Sequence, residues 1–147
     1  MEGTTYQDDA YNGSAYLSSG DSIFMDLSVE KSFDLAIFFY DKAIKADSNF
    51  ALAYAKRAIT RAWGYQAHHF TAKDHMEKCR NDIEHALQID KNLTEAKIAY
   101  GFYYYYFIKD YSKALEYFRE VSVKEPENCQ NNYYIALVLR AQGKWEQ

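Results

Sequence analysis

The sequence predicts an all-α chain folded as an array of antiparallel helix pairs. A helix–turn–helix block recurs along it. One proline and six glycines in 147 residues leave long stretches free of helix breakers. The apolar residues cluster in amphipathic helical patterns. A hydrophobic content of 48% supplies a sizeable core, and the length suits one domain.

The recurring block is short. It reads Ala43-Ile44-Lys45-Ala46-Asp47-Ser48-Asn49, then Ala86-Leu87-Gln88-Ile89-Asp90-Lys91-Asn92, then Val121-Ser122-Val123-Lys124-Glu125-Pro126-Glu127-Asn128. Each is the last turn of an amphipathic helix, an acid, and a turn containing Asn, followed by a fresh helical pattern. Asp47, Asp90 and Glu125 are separated by 43 and 35 residues. A period of about 34 residues marks a stacked helix-pair array.

The third unit carries the sharpest pattern. In Asp110-Tyr111-Ser112-Lys113-Ala114-Leu115-Glu116-Tyr117-Phe118 a small residue is followed by an aromatic one turn later, with Val121 and Pro126 beyond. Gly101 and Tyr104 precede it. These residues resemble the tetratricopeptide repeat, with one extra residue between Gly101/Tyr104 and Ala114. The resemblance implies a right-handed α-α superhelix, a solenoid in which each pair buries its apolar faces against its neighbours.

The units follow in order. Residues 1–12 are polar and expected to be flexible. Helices are expected at 13–27, 31–46, 50–66, 72–89, 93–108, 111–124 and 129–142, giving repeats at 13–49, 50–92, 93–128 and a partial one at 129–147. The first unit includes Tyr16, Gly20 and Ile23, then Ala36, Tyr40 and Ala43 in the packing positions of its second helix. The second has Tyr54 and Ala58, a connection near Tyr65 to Lys73 about nine residues longer than the period requires, then Cys79, Ile83 and Ala86. Small side chains at Ala36, Cys79 and Ala114 should let paired helices approach closely. In the fourth unit Cys129, Ile135, Ala136 and Leu139 take signature places. Gln142-Gly143-Lys144-Trp145-Glu146-Gln147 resembles a turn into a second helix.

Composition narrows the function. With 17 basic against 21 acidic residues the net charge is −4, and no basic stripe appears, so nucleic acid is not an expected partner. The aromatic run Phe102-Tyr103-Tyr104-Tyr105-Tyr106-Phe107 has few basic neighbours (Lys97, Lys109) for stacking on single strands. The apolar stretch Gly101 to Ile108 is too short to span a bilayer, the N-terminus has no signal-peptide pattern, and two cysteines are no disulfide framework. No membrane association and a cytoplasmic location are therefore expected.

Catalysis and metal binding find little support. His75 and Cys79, four apart, share a helix face, and His68 and His69 lie upstream in the long connection, but the spacing fits no zinc pattern and Cys79 falls on a packing position. Cys79 and Cys129 have no identifiable base or oxyanion donor, and the glycines are too scattered for a phosphate loop. No enzyme activity and no cofactor are expected.

The resemblance implies a protein or peptide partner on the concave face made by the first helices, with Ile59, Trp63, Phe102, Tyr105, Tyr106, Tyr133, Leu137 and Arg140 toward it. Where some arrays of the family clamp the C-terminal carboxylate of chaperones with Lys, Asn and Arg, this chain has Ala55, Ile59, Ile98 and Phe102, with Lys56 alone. The long second-unit connection and aromatic third unit resemble arrays attached to bacterial signalling proteins. In the competing expectation the chain is a self-association or regulatory segment of a larger signalling protein. The face of Tyr134, Ile135, Val138 and Leu139 would then pair two copies as a homodimer, or the protein would continue past Gln147.

Overall fold

A computed structural model describes residues 6–25 and 32–143, with side chains placed for 13–22 and 32–143. The described residues are helical with short connections. The helices are α1 (Tyr6–Met25), α2 (Ser32–Ala46), α3 (Ala51–Gln66), α4 (Ala72–Ile89), α5 (Thr94–Phe102, continuing as a π-helical segment through Tyr103–Ile108), α6 (Tyr111–Lys124) and α7 (Cys129–Ala141). From α2 onward their bounds fall within a residue of expectation. α1 starts earlier, at Tyr6 instead of 13. The side chain of Ile23 and residues 144–147, expected to turn into a further helix, lie outside the described residues.

The recurring acid–Asn block is a device for turning the chain. The Asn49 N–H donates to Asp47 Oδ1 at 3.0 Å, and the Asn92 N–H to Asp90 Oδ1 at 3.0 Å. Each aspartate thereby folds the backbone just past a helix end. In the third block, longer by one residue, the Asn128 side-chain amide donates to Glu125 Oε2 at 3.0 Å, and Asn128 Oδ1 caps α7 by accepting from the Asn131 N–H. Thr71 and Asp110 cap α4 and α6 likewise.

α1 packs on α2, α3 on α4 and α5 on α6, and α3 lies against α5 of the next pair. Ala36, Cys79 and Ala114 are all 0% exposed, equivalent tight spots in three successive pairs. Gly20 lies under the Tyr40 ring and Gly101 under the Phe118 ring. In each case the aromatic of a second helix rests on bare backbone of the first. Ala58 takes this place in the middle unit, and its carbonyl accepts from Cys79 Sγ at 3.3 Å.

The extra residue of the third unit is absorbed within α5. The last turns widen into π-helix, and the Tyr104 carbonyl accepts from the N–H groups of both Lys109 and Asp110. Such a turn holds one more residue than an α-turn. Lys109 closes it in the left-handed region (φ 62°). The long second-unit connection folds back on its own pair and reaches α2 of the preceding one. Phe70 lies over Gly64 and stacks on His75 with centroids 3.9 Å apart, and His69 Nε2 meets Asp34 Oδ2 at 2.7 Å.

Candidate functional site

The first helices together enclose a concavity of ≈ 240 Å³. α1 gives it Asp21; α3 gives Lys56 and Ile59; α5 gives Thr94, Glu95, Ile98 and Phe102; α7 gives Gln130 and Tyr134. Glu125 and Asn128, from the turn between α6 and α7, close one end. The spacing explains the convergence. Thr94, Ile98 and Phe102 are four apart, as are Gln130 and Tyr134, so each set forms one stripe along its helix.

The floor is apolar and aromatic, and it is continuous with the core. Phe102 is 1% exposed. Its ring meets Tyr134 edge-on at 4.6 Å and Trp63 at 5.4 Å, and stacks on Tyr106 at 5.6 Å. Burial, followed by the nearby Tyr133, pushes the Tyr134 phenol up to about 12. The polar rim is anchored from within. Lys56 Nζ pairs with Asp21 Oδ2 at 3.0 Å, while Asp21 Oδ1 accepts from the Tyr40 hydroxyl at 2.8 Å. At the far end Glu125 Oε1 accepts from Thr94 Oγ1 at 2.8 Å. This bond, with that from Asn128, holds the Glu125 carboxyl below the usual carboxylate range.

The expected inner-face residues fall into two groups. Ile59 and Phe102 line the concavity. Trp63, Tyr105, Tyr106, Tyr133, Leu137 and Arg140 are not among its lining residues; Tyr133 lies between the lining Gln130 and Tyr134, and the others follow further along the same helices. Tyr106 is buried, Trp63, Tyr105 and Leu137 are half-buried, and Tyr133 and Arg140 are exposed. Tyr105 lies beside Tyr106 and Tyr111, and feels the charge of Arg140. Of the positions matched to a chaperone clamp, Ala55 is fully buried while Ile59, Ile98 and Phe102 form the floor.

Sequence reasoning misses the rim, Asp21, Thr94, Glu95, Glu125, Asn128 and Gln130, and assigns Tyr134 of the floor to a dimer-forming face instead. The four-residue stripes on α5 and α7 were a usable signal for part of it. In the sequence Glu125 and Asn128 read only as turn residues.

Cys79 and His75 are otherwise engaged. Cys79 is fully buried, and burial raises its thiol far above the ordinary range, with Asp82 adding to the effect. His75 stacks on Phe70, and its Nδ1 lies 3.2 Å from Arg61 Nη1. Among the described residues no three His, Cys, Asp or Glu side chains are grouped to hold a metal ion, and no helix is long and apolar enough to cross a membrane. A polar cluster on the other side of α3 ties units together. Arg57 reaches Asp41 of α2 at 2.7 Å and Asp82 of α4 at 2.9 Å, and Arg61 Nε also meets Asp82, at 3.2 Å.

No protein-family model and no curated protein matches the sequence. Solved structures do match. One is the TPR domain of Arabidopsis OM64, with a TM-score of 0.65 at 20% identity, covering 90% of this chain and 98% of that one. Its fold is that of a tetratricopeptide domain. A second likeness is the second TPR domain of human RPAP3, solved by NMR in complex with the HSP70 peptide SGPTIEEVD. It has a TM-score of 0.61 at 22% identity and covers 91% of this chain and 98% of that one. In tetratricopeptide terms the concavity lies on the face made by the first helix of each pair, with α5 at its centre.

Proposed function

We propose that this chain is a protein-interaction scaffold whose inner groove receives an extended segment of a protein partner. The observation that carries the reading is the convergence of four first helices on one apolar-floored, polar-rimmed concavity. Ile59, Ile98, Phe102 and Tyr134 offer an anchor pocket, and Thr94, Asn128 and Gln130 offer hydrogen-bonding groups at its edge. Trp63, Tyr105, Tyr106, Tyr133, Leu137 and Arg140 would extend the contact along the same helices. A tetratricopeptide domain of like fold holding a peptide, in human RPAP3, supports the class of partner. By the sequence resemblance, the setting is a bacterial signalling or regulatory protein, and two free thiols suit a reducing cytoplasm.

The test is a paired capture. The chain and its Ile98→Trp variant, which fills the groove, are immobilised side by side and exposed to the source organism's proteins. Partners retained by the first and lost by the second, with equal helicity by circular dichroism, support the reading. Equal retention by both would refute it.

A second reading rests on Tyr133, 57% exposed on α7. A homodimer formed through this helix would show as concentration-dependent mass in light scattering and would be dispersed by Tyr133→Lys. A constant monomer mass would exclude it.

A further inference from the structure

The groove's ionisable groups are unbalanced. Three of its lining residues are acids, Asp21, Glu95 and Glu125, against one base, Lys56. That base is already answered, since Lys56 Nζ pairs with Asp21 at 3.0 Å. Glu95 has no ion-pair or hydrogen-bond partner among the described residues and is half-buried in the first turn of α5. Glu125 is held as an anion by two neutral donors, Thr94 and Asn128. Lys124 stands outside the lining and donates to the Asn92 carbonyl at 2.8 Å and Thr94 Oγ1 at 3.3 Å. It offsets part of the Glu125 charge from behind without offering a cation to the groove.

We propose that the groove selects a cationic segment, one apolar side chain flanked by Lys or Arg, and discriminates against acidic ones. This rests on the groove being the docking face. The apolar side chain fills the space between Ile59, Ile98, Phe102 and Tyr134, and the flanking cation sits between Glu95 and Glu125 at the α5–α7 end. An acidic tail would bring like charge against two carboxylates and find no uncommitted cation, which is how an interface rejects a wrong partner. The α7 N-terminus offers such a tail little, because Asn128 Oδ1 already accepts from the Asn131 N–H at 3.0 Å.

A random peptide library displayed on phage tests the proposal without a known partner. Enriched peptides should carry more Lys and Arg than Asp and Glu. A synthetic peptide of the enriched sequence should lose roughly tenfold in affinity against Glu95→Gln/Glu125→Gln, and weaken as salt rises from about 50 to about 300 mM. Ile98→Trp, or Ile59→Trp should the first prove unfolded by circular dichroism, should abolish its binding. Enriched peptides that are acidic or unbiased in charge, yet blocked by the Trp variants, overturn the charge selection and leave the groove standing. Peptides indifferent to both Trp variants, or no enrichment at all, overturn the groove and its selectivity together.

Discussion

Gly101 lies directly beneath the ring of Phe118, so that a methyl group at residue 101 would stand 2.9 Å from Cδ1 and closer still to Cε1 and Cζ. Phe118 cannot retreat. It is 0% exposed and wedged against Phe102 and Tyr134, with centroids at 5.4 and 5.6 Å. The two residues fix the distance between α5 and α6, and with it the floor of the groove.

Gly101→Ala should therefore destabilise the chain although alanine is the better helix former. The propensity gain is about 1 kcal/mol, while overpacking a filled core costs about 1–3 kcal/mol. Urea denaturation should show a net loss of up to about 2 kcal/mol. Adding Phe118→Leu should make the alanine less costly, a coupling readable from the double-mutant cycle.

Asp82 serves two arginines at once, only 6% exposed between Arg57 and Arg61. Burial alone would lower the Arg57 pKa, but the bonds to Asp82 and then Asp41 outweigh it and hold the guanidinium charged. Asp82→Asn would leave Arg61, 8% exposed, without its carboxylate. A loss of about 3–5 kcal/mol is expected, against less than about 1 kcal/mol for removing the exposed Asp41. Equal effects in thermal melts would show that burial does not set the strength of this cluster.

His75 is the group expected to carry acid sensitivity. Burial under Phe70, then the charges of Arg61 and Lys78, lower its pKa from the ordinary 6.5. The unfolded chain therefore takes up a proton first as pH falls through 6.5. The associated stability is complete above that value and is lost as pH drops toward the lowered folded value. The ring is only half-buried, so the effect should stay below about 1 kcal/mol. His75→Phe, which keeps the stack, should flatten the dependence of melting temperature on pH between about 7 and 5; an unchanged slope would assign the sensitivity to other groups.

Lys109 adopts φ 62° to end the π-helical segment. A side chain in that region costs about 1 kcal/mol relative to glycine. Lys109→Gly should raise stability by up to about 1 kcal/mol, whereas Lys109→Val should lower it by more, because β-branched residues tolerate positive φ poorly. A stability order of Val above Gly would mean that the turn had rearranged.

The sequence by itself determined the helices and their pairing. Alternation of apolar and charged positions, the acid–Asn turns and the small residues Ala36, Cys79 and Ala114 act through local spacing, and local spacing is what a linear reading measures. It also flagged the one-residue excess between Gly101 and Ala114. Only the tertiary structure decided how that excess was absorbed. Because the Phe118 ring pins Gly101 and Lys109 closes the far end, the surplus widened the turn between them into π-helix instead of lengthening the loop. The groove's rim was likewise decided in three dimensions. Asp21, Glu95 and Glu125 are scattered over more than a hundred positions of sequence, and they face one space because superhelical stacking brings α1, α5 and the α6–α7 turn to the same side. That closeness depends on how far each helix pair rotates against the next, a quantity set by the summed packing of many side chains and by no single stretch of the chain.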